Sequence, residues 1–285
     1  MSAEAKIQMD DEPVNEGWRA QLQLRFEQQR SRTVMADCHH YGPLRVQRPF
    51  YPEQELAHVY ILHPPGGVVG GDQLKIELQV DRAARVLCTT PGSGKFYLSA
   101  GDWARLEQRL HVKSGASLEW LPQENILFDG ARLYARTSIV LEDSARFIGW
   151  DINCLGRPTR QERFEHGEVD SRLAFYHNQK LILVENMRVL DSQSLDAAAG
   201  LRRQPLQGAL LAYPCDEKQL ECVRAHLAED VSLLLSGVTL IDGLLVLRLL
   251  GNNGEMMKQK LVSVWRLLRP LLLERPAVLP RIWAT

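Results

Sequence analysis

Ten consecutive residues, His63-Pro64-Pro65-Gly66-Gly67-Val68-Val69-Gly70-Gly71-Asp72, set four glycines and two prolines ahead of a carboxylate. Gly and Pro in that density exclude a helix interior, because one costs backbone entropy and the other removes a donor. They suit a tight backbone path that delivers Asp72 at its end, bridging strand-like His58 to Leu62 and Leu74 to Val80. Two further acids stand in apolar surroundings. Asp151 follows Trp150, and Glu185 ends the run Leu181-Ile182-Leu183-Val184. A carboxylate there is costly unless it is paired or faces water. Two chemistries remain open: salt bridges, for which Arg157 and Arg188 are available, or a water-filled passage. In the second, oxygen ligands would hold a divalent ion loosely, where thiolates would trap it.

Other reactive groupings are weaker. Cys38-His39-His40 offers three soft or borderline ligands, but in a strand only Cys38 and His40 could share one ion. Cys222 and His226 lie four apart on an expected helix; neither group has the spacing of a structural zinc site. Thr89 to Phe96 imitates a phosphate loop and fails twice, with Thr89 at the first glycine and Phe96 at the magnesium-binding hydroxyl. No nucleophile elbow or H-E-x-x-H helix is present, and no spacing rule ties Glu119 and Glu124 to a reaction. A metal-dependent hydrolase built on Asp72, Asp151 and His63 is the alternative enzymatic reading.

The elements that must carry these residues are mostly strands. Trp18 to Phe26 alternates strictly, with Trp18, Ala20, Leu22, Leu24 and Phe26 on one side, and Leu74 to Val80 repeats the pattern. Three segments then share one form, strand, short turn ending in alanine, strand. The turns close at Ala84, Ala116 and Ala145, which recur at intervals of 32 and 29 residues. Such spacing suggests helically stacked β-units winding as a solenoid, with an ordinary meander as the alternative. Strands continue through Arg172 to Tyr176 and Leu181 to Glu185. Two helices are expected late, Asp216 to Asp230 and Gly254 to Leu268, the second ended by Pro270, with a hairpin at Asp242-Gly243 between them. The expected layout is a tail over residues 1–17, then one β domain over 18–285 with a small αβ region from about 205.

A net charge of −1 gives no electrostatic case for nucleic acid or an anionic membrane surface. The longest uncharged apolar stretch, Val231 to Ile241, is far short of the ~20 residues a membrane span needs. Five cysteines without close pairing argue against a disulfide framework and for a reducing cytoplasm.

Several long motifs stand around the decapeptide. Gly42-Pro43-Leu44-Arg45-Val46-Gln47-Arg48-Pro49-Phe50-Tyr51-Pro52 precedes it. Glu119-Trp120-Leu121-Pro122-Gln123-Glu124, Cys154-Leu155-Gly156-Arg157-Pro158 and Pro280-Arg281-Ile282-Trp283-Ala284-Thr285 follow. With them the chain resembles, from about Trp18 to its end, the urease accessory protein D family (UreD, called UreH in some organisms). The resemblance implies a non-enzymatic member of the nickel-delivery complex. It would bind urease apoprotein and accessory protein F, and through F accept nickel released by the accessory GTPase, G. It also implies no tightly bound cofactor, only nickel(II) in transit through an internal tunnel, with Asp72, Asp151 and Glu185 at the matching positions. A purely structural adaptor that props urease open is the competing family role. His39 and His40 depart from the family, which is more basic before Gly42.

Overall fold

The computed structural model describes residues 17–229 and 234–284. The chain opens with an antiparallel pair, β1 (Arg19–Gln29) and β2 (Arg32–Tyr41). Two short strands, β3 (Arg45–Val46) and β4 (Phe50–Glu53), pair with β5 (Leu56–Leu62). From there the chain winds. β6 (Gln73–Val80) turns into β7 (Arg85–Thr89), and short β8 (Gly94–Phe96) leads to β9 (Ala104–Val112). β9 turns into β10 (Ser117–Leu121), and β11 (Asn125–Leu127) leads to β12 (Arg132–Leu141), which turns into β13 (Arg146–Leu155). A hairpin of β14 (Glu168–His177) and β15 (Lys180–Val189) follows. After α1 (Ser192–Asp196) come β16 (Leu206–Tyr213), α2 (Glu217–Ala228), the hairpin β17 (Leu235–Ile241) and β18 (Leu244–Gly251), and α3 (Gly254–Leu273).

These strands make two sheets. One runs β15-β14-β12-β9-β6-β1-β2, the other β17-β18-β16-β13-β10-β7-β5-β3. Successive windings add parallel strands to both, so the body is a solenoid of about four turns. Ala84, Ala116 and Ala145 occupy equivalent corners. Each donates its N–H back across the turn, to Asp81 (3.0 Å), Lys113 (3.0 Å) and Glu142 (2.8 Å). The layers are bonded to each other at the same place, Ser117 N–H to Ala84 O and Arg146 N–H to Ala116 O. All three alanine side chains are buried at the bend. The 32- and 29-residue spacing is therefore the pitch of the winding in sequence.

The apolar alternation sets the layers. Leu22, Ile76, Leu110 and Leu133 point between the sheets and form the main core. The outer face of the second sheet, with Ile148, Leu210 and Leu247, packs on Leu261, Val264 and Leu268 of α3 in a second core. Since β16 and β18 pair onward from β13, the αβ region continues the same sheet.

Three details differ from the sequence reading, and one expectation lies outside the described residues. Trp18, expected on the buried side, is 66% exposed at the strand's edge. The helix expected to stop at Pro270 runs to Leu273. Pro270 and Arg266 are both exposed, so the carbonyl that the proline leaves unpaired faces water, while Leu272 and Leu273 are buried. Short α1 joins the two expected helices. The expected tail falls outside the described residues except for Gly17.

Candidate functional site: the polar row between the sheets

The glycine run is the first return connection of the solenoid. Val68 bridges to Phe96, and β8, β11 and β13 continue that short parallel ladder. A Cβ on Gly67 would meet the Tyr97 ring at 2.2 Å, and one on Gly70 would meet Ser99 Oγ at 2.2 Å, so the loop is packed too closely for side chains there. Gly71 adopts φ +90°, a left-handed conformation that favours glycine. Asp72 then closes the loop on itself. Its carboxylate accepts N–H bonds from Val69 (3.0 Å) and from Trp18 (2.9 Å). Burial pushes the His63 imidazole below its ordinary value, and the charge of Asp72 opposes the shift.

A different polar feature interrupts the core. Along β9 the inward row reads Leu106, Gln108, Leu110; along β12, Ala135, Thr137, Ile139. Gln108 and Thr137 are register partners, and the Thr137 hydroxyl donates to Gln108 Oε1 at 3.1 Å. Facing them from β13 is Asp151. Together with Trp120, Phe147 and Leu173 these residues line a cavity of about 10 Å³, at the lower limit for one water molecule. Asn153 Nδ2 donates to Asp151 Oδ2 at 2.7 Å, and Asn125 Nδ2 to Asn153 Oδ1 at 3.3 Å, extending a polar ladder along the same inner face. Burial raises the Asp151 carboxyl above the usual carboxylate range; the bonds from Asn153 and the Ile152 N–H only partly offset it.

Glu185 lies at the open side of the body, where edge strands β15 and β17 leave the sheets unjoined. A cavity of about 510 Å³ there is lined by Glu185, Met187, Gln207, Leu235 and Arg248 among others. Arg248 Nε donates to Glu185 Oε1 at 3.0 Å and Nη2 donates to the same oxygen, so the pair ties one sheet to the other. Register connects this mouth to the interior: Asp151 pairs with Ala209, and Ala209 with Arg248. Two strand spacings, roughly 10 Å, separate the two Cα atoms, and the residue between them carries only a methyl group.

The three acids are thus not one centre. Asp72 sits four residues, roughly 13 Å along the strand, from Ile76, the register partner of Gln108. Among the described residues no group of three or more His, Cys, Asp and Glu could hold a metal ion. The salt-bridge reading applies to Glu185 alone, and its partner is Arg248; Arg157 pairs with Glu162 and Arg188 with Asp170. Arg248 was invisible to local reading, being distant in sequence. Gln108 and Thr137 were missed as well, although their sequence carries a signal, polar residues at inward positions of alternating strands. His226 joins the late helices through Ser263 Oγ at 2.9 Å, and Cys38 is exposed on β2. Thr89 is buried, donating to Leu121 O, and Phe96 is in the core, so no phosphate loop forms. No helix of the described residues is long and apolar enough to cross a membrane.

Known proteins with this sequence pattern share one description. The family model for the UreD urease accessory protein matches residues 19–284. Urease accessory protein UreD of Alcanivorax borkumensis is 47% identical over 275 residues, covering 95% of this chain and 94% of that protein. The Escherichia coli protein of the same name is 45% identical over 277 residues, covering 94% of this chain and 98% of its own length. That of Citrobacter koseri is 44% identical over 272 residues, with 95% and 93% covered. A match of this extent, with the decapeptide motif forming the glycine return of the solenoid, makes the chain a member of the UreD urease accessory protein family.

Proposed function

We propose that this protein takes part in urease maturation as a non-catalytic scaffold that passes nickel toward the urease active site through the space between its sheets. The supporting observation is the inward polar row, in which Asp151, Gln108 and Thr137 interrupt an otherwise apolar core next to a cavity. Glu185 stands at one mouth of that row and Asp72 at the glycine-loop end. Oxygen ligands spaced apart favour transit over storage. In this reading urease apoprotein and accessory protein F bind at opposite ends, and F relays nickel from the GTPase G. The five free thiols suit the cytoplasm.

Asp151 is the decisive residue, because among the described residues it has no ion-pair partner whose loss would confuse the result. Asp151→Ala is expected to co-purify with urease and accessory protein F while urease nickel content falls at least several-fold. Adding Asp72→Ala or Glu185→Gln should lower it further. Full nickel loading in the triple variant would exclude the conduit and favour the adaptor role.

A further inference from the structure

Each sheet ends in a free edge beside the 510 Å³ cavity. Among the described residues β15 pairs only with β14, and β17 only with β18. Residues 185–189 of β15 and 235–237 of β17 border the space. Successive strand side chains point to opposite faces, so an unbroken run borders one space along the strand's edge, where the backbone N–H and C=O groups stand. The adjoining face of β17 is open as well. Gly237 is the register partner of Arg248, and a Cβ on it would meet nothing within 4 Å. Leu235, on the same face, is 44% exposed. Charge at this place is one-sided: Arg188, Arg202 and Arg248 line the cavity with a single carboxylate, Glu185. Arg248 holds Glu185 and still keeps 40% exposure. Arg202 is exposed, its Nε donating to Ala198 O at 2.9 Å, and it has no carboxylate partner among the described residues. Arg188 stands 3.7 Å from Asp170 on the outer side.

We propose that this open side is a docking groove for an extended acidic segment of a partner protein. The segment pairs its backbone with the edge of β17 as an added strand and sets its carboxylates against Arg248 and Arg202. A free strand edge is a template for another chain, and main-chain bonds supply the affinity. β17 carries none of the usual protections, since Leu235–Ile241 contains no charged residue and no proline. Side chains then decide which chain is accepted. The bare Gly237 leaves space over β17 through which the Arg248 guanidinium reaches a neighbouring strand, and guanidinium groups take carboxylates in bidentate pairs. A basic segment is repelled by the same arginines. So is a second copy of this chain, which would bring an identical cationic edge to the contact. The docking goes beyond the scaffold reading and holds whether or not nickel passes between the sheets.

The test is fluorescence anisotropy of the full chain with a labelled peptide of about seven residues alternating glutamate and threonine, alongside thermal unfolding of each variant. Saturable binding is expected, weakening several-fold when salt rises from about 0.05 to about 0.3 M. A peptide of equal charge with proline in place of threonine should bind at least about tenfold more weakly, because proline has no N–H for the ladder. Gly237→Phe, which fills the open face with a strand-favouring ring, and Arg202→Glu should each weaken binding at least about fivefold. Where Gly237→Phe does not fold, Gly237→Thr replaces it. Absence of saturable binding, equal binding of the proline peptide, or wild-type affinity in both folded variants would overturn the docking groove. The conduit reading stands or falls separately, on urease nickel content with Asp151→Ala.

Discussion

At the scale of one residue, Asp151 shows what a conduit would cost the protein that contains it. Its carboxyl is raised by burial, so the folded protein retains that proton to higher pH than the unfolded chain does. Folding then binds protons above the unfolded value of about 3.9. The cost is absent below that pH and grows as pH rises through the folded value, where the charge must be held in the interior. Asp151→Asn removes the charge but keeps an acceptor for Asn153. The variant should be more stable than wild type by about 1 kcal/mol at neutral pH, and the gain should vanish near pH 4. Unfolding curves at the two pH values check this. A constant difference would mean that the ionised group is not penalised by its site. A cation at the site would offset the same penalty, which gives an apolar core reason to keep an acid.

At the scale of elements, the corners were the most legible part of the sequence and the sheet edges the least. A corner needs a small apolar residue at the bend and a left-handed residue one or two places before it, Asp143 (φ +31°) serving the third. In the first corner Ala83 has φ +59°, and in the second Gly115 has φ +72°. The space around Gly115 is open, with Ser144 Oγ the nearest atom at 3.9 Å, so Gly115→Ala tests backbone strain without a clash. It should cost about 1 kcal/mol, and Ala83→Gly should stabilise by a comparable or smaller amount, since glycine also loses more entropy on folding. Denaturant midpoints of the two variants moving in opposite directions would fit equivalent corners; movement in the same direction would not. Edge strand β2 gave no such mark, because exposed Asp37, Cys38, His39 and His40 blur its alternation. Strand β16 was hidden for the opposite reason: Gly208, Ala209 and Ala212 favour strands weakly, and the strand is apolar on both faces because it is covered on both. The same limit applied to the site. Asp151 and Glu185 could be seen as acids out of place, but the partner of Glu185 lies in a strand reached only by folding.

At the scale of the molecule, the question is what holds the helical layer on the solenoid. A buried charge cluster does so. Arg269 of α3 is fully enclosed, donating from Nε to Glu119 at 2.9 Å and from Nη2 to Glu53 at 2.8 Å. Trp265 Nε1 adds a bond to Glu119 at 2.6 Å, and His58 Nε2 meets Glu53 at 2.8 Å. The two acids are held differently. Burial raises Glu119, whereas for Glu53 the penalty of burial is outweighed by His58 and Arg269, which hold it below the usual range. The terminal segment is pinned to the same layer, with Trp283 donating to Thr89 Oγ1 at 3.0 Å and its ring between those of Trp150 and Trp265. Such a cluster specifies one docking of the helix more than it adds net stability, because each charge has been taken out of water. Arg269→Met should therefore cost about 3–5 kcal/mol, since it leaves two acids enclosed without their cation. Adding Glu53→Gln and Glu119→Gln should recover most of that loss. The amides no longer require a cation, and the amide oxygen replacing the Glu119 carboxylate could still accept from Trp265. Guanidinium unfolding of the single and triple variants decides between the alternatives. If the triple variant is no more stable than Arg269→Met, the cluster contributes through packing of the Arg269 stem rather than through its charges.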